Sequence, residues 1–293
     1  MELIDGRKIA LEIKGEIAEQ VKKLTDAIDR PPHLAAILVG NDPASETYVA
    51  NKEKACKEVG FDSSVYKLED TISEKELLDI VEFINNDPDI DGFIVQLPLP
   101  KHINEQNIIK AVSPKKDVDG FHPENIGRMT LGLPAYISAT PYGIIEMMRR
   151  SGIQTDGKHC VVVGRSNIVG RPVSILMSRT TAPGNATVTV CHSRTHNLKE
   201  ITLMADILIV AIGKAEFITA DMVKEGAVVI DVGIHRVESS QSPSGFKLIG
   251  DVKFDEVSAK ASKITPVPGG VGPMTIVSLL TNTLKAAKKE VYE

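Results

Sequence analysis

The chain has 293 residues and a formal net charge of −5, so nothing in its electrostatics calls for nucleic acid or an anionic membrane as partner. Hydrophobic residues at 42% and charged residues at 25% are ordinary for a soluble globular protein of two domains or one large one. No apolar run approaches a membrane span, and Met1-Glu2-Leu3-Ile4-Asp5-Gly6 lacks the basic start and apolar core of a signal peptide. The cysteines, Cys56, Cys160 and Cys191, form no C-x-x-C pair and suit reduced thiols in a cytoplasm.

Ile9, Ile13, Ile17, Val21 and Leu24 recur at helical spacing and predict an amphipathic helix over residues 8 to 29, ending before Pro31-Pro32. Leu34 to Val39, closed by Gly40, reads as a strand. Asp42-Pro43 and Ser45 supply N-cap chemistry for a helix reaching Gly60. Tyr48 and Lys52 lie four apart on that helix and share a face. A lysine stem lying across a surface tyrosine ring is the ordinary reading of the pair, and a partly desolvated ammonium is the functional one. Ser63 to Leu68 alternates as a strand, and Ser73-Glu74-Lys75-Glu76 is a capping box opening a helix through Leu77, Leu78, Val81 and Ile84. Phe93 to Leu97 is a third strand, stopped by Pro98 and Pro100. Gln96 is an amide inside that apolar run, costly unless partnered. Strand and helix alternate throughout, which predicts a parallel α/β layer. Asp117-Val118-Asp119-Gly120 begins like a calcium loop, but the remaining ligand positions do not follow. It reads instead as a turn that leaves Asp119 as a carboxylate on a loop.

In the second half, Thr140 caps and Pro141 opens a helix that Gly152 ends. Val161-Val162-Val163 is a strand buried on both faces, followed by the turn Gly164-Arg165-Ser166-Asn167-Ile168-Val169-Gly170. The turn sits at a strand's carboxyl end, where an open α/β sheet binds ligands, and the next helix's free N–H groups would favour a phosphate. The spacing is neither G-x-G-x-x-G nor a triphosphate loop, so by itself the turn is either a dinucleotide site or a plain strand-to-helix connection. Ala186 to Cys191 is a second strand, ending in His192-Ser193-Arg194. An NAD-binding domain would carry an acid there. Ser193 and Arg194 favour NADP if a dinucleotide binds. His192 and His196 beside Cys191 lack a second ligand pair, so no metal is expected. Ala205 to Gly213 and Ala227 to Ile234 are further strands, residues 239 to 245 a surface loop, and Ile249 to Val252 a short strand, together a doubly wound sheet over roughly residues 141 to 265. The loop from Thr265 to Thr275 is stiffened by proline and opened by glycine, and a helix is predicted from Thr275 to Lys288 with Ile276, Leu279, Leu280, Thr283 and Ala287 on its buried side.

Tyr48-Val-Ala-Asn-Lys52, Gln96-Leu-Pro-Leu-Pro100, Asp117-Val-Asp-Gly-Phe121, Gly164-Arg-Ser-Asn-Ile-Val-Gly-Arg-Pro172 and Pro268-Gly-Gly-Val-Gly-Pro-Met-Thr275 occur in that order. Together they resemble the bifunctional methylenetetrahydrofolate dehydrogenase/methenyltetrahydrofolate cyclohydrolase family over almost the whole chain. The resemblance implies an α/β fold: a folate-binding catalytic domain over residues 1–140 plus 274–293, an NADP-binding Rossmann domain with a doubly wound parallel sheet over 141–273, and a cleft between them. It implies Lys52 as catalytic lysine, Tyr48 packing on the pterin and orienting it, Gln96 tuning its protonation and Asp119 anchoring the pterin. Val95, Leu97, Pro268, Gly269, Gly270, Val271, Gly272, Pro273, Met274 and Thr275 would line the folate. Gly164, Arg165, Ser166, Ser193 and Ile234 match cofactor contacts, and Arg194 as partner of the 2′-phosphate follows from its place after the second strand. Two departures are local: Ala139 stands where many relatives carry a Cys before the Thr, and the loop Thr181 to Asn185 is longer than in many members.

The implied activity is NADP-dependent oxidation of methylenetetrahydrofolate to methenyltetrahydrofolate and its hydrolysis to formyltetrahydrofolate, without a metal, by a cytoplasmic homodimer joined through the cofactor domain. Tetrahydrofolate derivatives would be the partners, with no nucleic acid and no membrane. The rival readings are a dehydrogenase that has lost hydrolysis, a non-catalytic NADP-binding module, and an NADP enzyme acting on a small hydroxy acid. The first sits badly with Lys52 and Gln96 together, the second leaves Tyr48, Lys52 and Gln96 without a task, and the third has no need of the Pro268 to Thr275 loop.

Overall fold

The computed structural model describes residues 1–239 and 245–292. In chain order, the first half contains β1 (Glu2–Leu3), α1 (Gly6–Ile28), β2 (His33–Val39), α2 (Pro43–Val59), β3 (Asp62–Leu68), α3 (Glu74–Asn86), β4 (Gly92–Val95), α4 (Glu105–Ala111) and α5 (Pro123–Thr130). The second half opens with α6 (Ala139–Arg150), β5 (His159–Val163), α7 (Gly170–Ser178), β6 (Thr187–Cys191), α8 (Leu198–Thr202) and β7 (Ile207–Val210). It closes with β8 (Val228–Asp231), β9 (His235–Glu238), β10 (Phe246–Ile249), α9 (Phe254–Val257), β11 (Lys263–Ile264) and α10 (Val271–Ala287). The elements form two compact units, one of Leu11–Ala139 with the chain from Ile276 onward, the other of Met1–Ala10 with Thr140–Thr275.

The first of these units is built on a parallel sheet in the order β3-β2-β4. β2 runs down its middle, and Ala35 and Ile37 are wholly buried, as expected of a strand covered on both faces. Leu77, Val81 and Ile84 of α3 pack on one side of it with Phe93. The local signals act as their chemistry requires. Asp42 caps α2 by accepting from the Ser45 N–H at 2.8 Å, and Gly60 closes that helix at φ +82°. Ser73 and Glu76 complete the capping box of α3. The strand expected over Phe93–Leu97 stops at Val95. Gln96 follows it, still tied to the sheet by its N–H to the Ile37 carbonyl at 2.9 Å.

The second unit is a six-stranded, all-parallel sheet in the order β1-β11-β8-β7-β5-β6. After β5 the chain lays β6 on one side and then β7, β8 and β11 on the other, so the strand order reverses at β5. In such a sheet the ligand crevice lies outside the carboxyl ends of the strands at the reversal, here β5 and β7. Gly164 follows β5 at φ +138°, and a Cβ there would stand 2.2 Å from the Ala211 carbonyl oxygen just past β7. Only glycine lets these turns approach so closely.

Residues 1–10 group with this second unit, because Glu2 and Leu3 pair with Lys263 and Ile264 and Ile4 is buried. A two-residue strand carries no periodicity by which to read it. Three expectations are corrected. The short strand expected at Ile249–Val252 is divided: β10 pairs antiparallel with β9 outside the main sheet, and Val252 makes an isolated parallel bridge with Ile218. The last helix starts at Val271, not Thr275, since Pro273 falls in a first turn, where no N–H is needed. α6 starts at Ala139, so Thr140 lies inside its first turn and is not the cap. Of the loop expected over 239 to 245, residues 240 to 244 lie outside the described residues.

Replacing Gly164 by Ala should destabilise the protein by at least about 2 kcal/mol, since it combines an unfavourable φ with a backbone clash. Urea denaturation checks this through a lowered midpoint at unchanged slope.

Candidate active site

Lys52 sits on α2 one turn after Tyr48, so the two share a face of the helix. Tyr48 is 46% exposed, so its ring is free to meet a ligand rather than filling the core. Lys52 is half-buried, and its Nζ donates to the Gln96 Oε1 at 3.1 Å. The other end of the Gln96 amide, Nε2, donates to the Leu97 carbonyl at 2.7 Å. That second bond sets the amide's orientation and presents its oxygen to the lysine. Burial lowers the Lys52 pKa below its ordinary 10.5, while the negative charge of Asp119 partly opposes the shift. Burial likewise raises Asp119, opposed by Lys52. One turn further along α2, the buried Cys56 thiol is pushed up to about 12 by desolvation and stays protonated.

Asp119 lies on a turn held by its neighbour Asp117. The buried Asp117 carboxylate accepts from the Phe121 N–H at 3.2 Å, the His122 N–H at 2.8 Å and the Asn125 side-chain amide at 2.9 Å. Desolvation outweighs these bonds and pushes Asp117 up to about 7. Asn125 is itself buried, and its oxygen accepts from the Tyr136 N–H and the Tyr292 hydroxyl. Ser138 donates to the Gly120 carbonyl at 2.9 Å, and Asn282 of α10 donates to the Val118 and Ile137 carbonyls. Asp119 is thus placed by a turn pinned on several sides. A small cavity of about 20 Å³ is lined by Asp119 together with Phe93, Val95, Leu97, Ile109 and Phe121. Val95, Leu97, Gln96, Lys52 and Asp119 therefore gather at the carboxyl end of β4 and the facing helix α2.

In the other unit, Val163 of β5 pairs with Cys191 of β6, and the Gly164 N–H donates to the Cys191 carbonyl at 2.9 Å. This register puts Arg165 and Ser166 at one strand end and Ser193 and Arg194 at the next, all four exposed. Arg165 and Arg194 thus stand as cations at adjoining strand ends, an arrangement suited to a phosphate beyond the two of the pyrophosphate. The donors that α7 was expected to offer a phosphate are already engaged. The Ser166 hydroxyl accepts from the Val169 N–H at 3.2 Å and the Gly170 N–H at 3.4 Å, and its carbonyl accepts from the Arg171 N–H at 3.0 Å. Pro172 has no N–H, so an anion here would meet side chains and not a free helix end. Ile234 is 43% exposed just past β8, and its Cδ1 lies 3.3 Å from where a Gly272 Cβ would be. The segment from Pro268 to Thr275 turns into α10. Val271 and Met274 are buried and seat its first turn, Gly269 and Gly270 are buried, Pro268 is exposed, and Gly272, Pro273 and Thr275 are half-buried. Thr275 Oγ1 stands 3.2 Å from Thr140 Oγ1.

Sequence reasoning missed the residues that hold these turns: Asp117, Asn125 and Tyr292 in one unit, Asp231, His235 and Asp251 in the other. Asp117 was within a quoted motif. The others had no signal beyond being polar residues next to apolar strands. Among the described residues no cluster of His, Cys, Asp and Glu forms a metal site.

A reversing parallel sheet with a cationic edge, and a second α/β unit with a desolvated lysine, define a dinucleotide-dependent α/β enzyme of two units. Residues 4–119 match the model for the tetrahydrofolate dehydrogenase/cyclohydrolase catalytic domain, and residues 138–291 the model for the same family's NAD(P)-binding domain. The chain belongs to the tetrahydrofolate dehydrogenase/cyclohydrolase family. A relative from Cytophaga hutchinsonii, named Bifunctional protein FolD, is 63% identical over 98% of this chain and 99% of its own length. A crystal structure of the bifunctional FolD dehydrogenase/cyclohydrolase from Campylobacter jejuni is 46% identical with a TM-score of 0.93, covering 99% of each chain. The Trypanosoma brucei enzyme, solved with NADP and an inhibitor, is 36% identical with a TM-score of 0.93, covering 99% of this chain and 98% of that one.

Because burial depresses the Lys52 pKa and Asp119 opposes it, Lys52 should titrate below 10.5, and lower still in Asp119→Asn. Methyl-lysine NMR titration reads this directly, and a Lys52 midpoint at or above the free-lysine value would refute the site's electrostatics.

Proposed function

We propose that the chain oxidises methylenetetrahydrofolate to methenyltetrahydrofolate with NADP and hydrolyses the product to formyltetrahydrofolate, Lys52 serving the second step. The observation that carries this reading is the half-buried Lys52 whose Nζ is held by the neutral Gln96 amide. A carboxylate in place of Gln96 would tie the proton to the lysine. An amide oxygen orients the nitrogen without adding charge, so the depressed pKa set by burial is kept. The direction of the shift favours the neutral amine, whose lone pair can take up a proton.

In the oxidation the bridging methylene loses a hydride and becomes the methenyl cation, which needs positioning rather than a strong base. NADP, when bound, accepts that hydride. Gly164 permits the close approach of the turns after β5 and β7, and Arg165, Ser166, Ser193 and Arg194 supply side-chain donors at the adjoining strand ends. Arg194 stands where the ribose-binding acid of an NAD site would be, and we assign it to the 2′-phosphate. In the hydrolysis, water adds to the methenyl carbon, Lys52 takes a proton from it, and the C–N bond to one ring nitrogen breaks as that nitrogen is protonated. One proton is released overall. Asp119 offers the pterin a hydrogen-bonding carboxyl from its pinned turn, and exposed Tyr48 offers a ring face one helical turn from the amine.

The same reading assigns residues 11–139 with the chain from Ile276 onward to folate and the reversing sheet to NADP. It takes the protein to be a cytoplasmic homodimer joined through the cofactor unit. Support comes from three unpaired, buried cysteines and from β6, an outer strand whose Val190 is 38% exposed. Among the described residues no helix is long and apolar enough to cross a membrane.

With methylenetetrahydrofolate and NADP, methenyl absorbance and NADPH should rise together; absence of both defeats the reading. Lys52→Met should lower hydrolysis of supplied methenyltetrahydrofolate by about a hundredfold or more while leaving oxidation within about tenfold. Arg194→Ala should raise KM for NADP by about tenfold, the scale of a lost charged hydrogen bond, with KM for NAD little changed.

A further inference from the structure

At the carboxyl ends of β7 and β8, a pair of buried carboxylates does work that the cofactor contacts themselves do not explain. Asp251 is wholly buried. Its Oδ2 accepts from the Ile212 N–H at 2.8 Å and the Gly213 N–H at 3.0 Å, and its Oδ1 from the Lys214 N–H at 2.9 Å. Three successive N–H groups converging on one anion form a nest, a shape that elsewhere captures phosphate. Here the protein fills it with its own side chain. The fourth donor is the His235 ring, whose Nε2 lies 2.7 Å from Oδ1 and whose side chain is 22% exposed.

Asp231 anchors the arrangement from behind. Its carboxylate accepts from the Gly233 N–H at 2.9 Å, the Asp251 N–H at 3.0 Å and the Val252 N–H at 2.9 Å. The fit is close enough that a Cβ on Gly250 would stand 1.8 Å from Asp231 Oδ2, and one on Gly233 2.5 Å from the Asp251 carboxyl carbon. Two chain segments are thereby set. One is Ala211–Lys214, whose first carbonyl meets Gly164 across the crevice. The other is Gly233–His235, which holds exposed Ile234 between an N–H bound to Asp231 and a ring bound to Asp251.

We infer that His235 and Asp251 are positioning residues for the dinucleotide, fixing the turn after β7 and Ile234 in the conformation that receives it. Neither side chain needs to touch the cofactor. Their effect is on the path of the main chain at the edge where the strand order reverses.

The inference rests on the NADP reading of this unit, so the unaltered enzyme is assayed first, and lack of NADP-dependent oxidation there defeats that reading and not this one. His235→Leu then removes the half-buried donor, and His235→Gln keeps an N–H donor at similar reach. In His235→Leu, kcat/KM for NADP should fall about tenfold, the scale of a lost hydrogen bond to a buried charge, while hydrolysis of supplied methenyltetrahydrofolate stays within about twofold. His235→Gln should recover most of the loss. Unchanged NADP dependence, parallel loss of hydrolysis, or failure of the glutamine to restore binding overturns the proposal.

Discussion

Buried carboxylates that accept main-chain N–H groups hold the turns on which both units depend. Asp117 receives two backbone N–H groups and the Asn125 amide, Asp231 three backbone N–H groups, and Asp251 three with the His235 ring. A turn at the end of a parallel strand leaves several N–H groups without a ladder partner, and burying them unpaired would cost about 1–3 kcal/mol each. One carboxylate satisfies several at once and imposes a single path on the chain. Desolvation raises Asp117 to about 7 and Asp231 to about 6 in spite of these bonds.

The proposed chemistry rests on the same physics with the opposite sign of charge. Desolvation that raises a carboxyl lowers an ammonium, and Lys52 is half-buried beside an amide instead of a carboxylate. Asp119 counteracts the shift, while the hydrogen bond that orients the amine runs to Gln96. The cofactor unit works differently. Its exposed edge collects Arg165 and Arg194 on neighbouring strands, and the helix that follows is closed by Ser166. On the proposed reading, anion recognition there falls to exposed charged side chains on a frame held by buried carboxylates.

Much of this was legible beforehand. Lys52, Tyr48, Gln96 and Asp119 stand in short motifs whose neighbours dictate helix, strand end or turn, and the missing acid after β6 could be read from one position. The capping box at Ser73 and the glycine stop at Gly60 are local chemistry, and both form in the structure. The N-terminal strand was not legible, because two residues beside a distant Lys263-Ile264 have no pattern of their own. Nor was the closed helix end after Gly164, since a serine in a turn is equally a free donor or a cap until its partners are known.

The amino-acid sequence by itself determined the alternation of strands and helices, the family, and the residues that carry charge to the carboxyl ends of the strands. These depend on periodicity, turn chemistry and short motifs, all of which act within a few residues. Only the tertiary structure decided that Met1–Ala10 completes the second sheet, that Ser166 spends its oxygen atoms on α7, and that Asp231, His235 and Asp251 meet behind Ile234. Each of those facts joins groups through space or depends on which of several possible hydrogen-bond partners is in reach. A polar residue announces its need for a partner in the sequence, but burial and distance choose the partner.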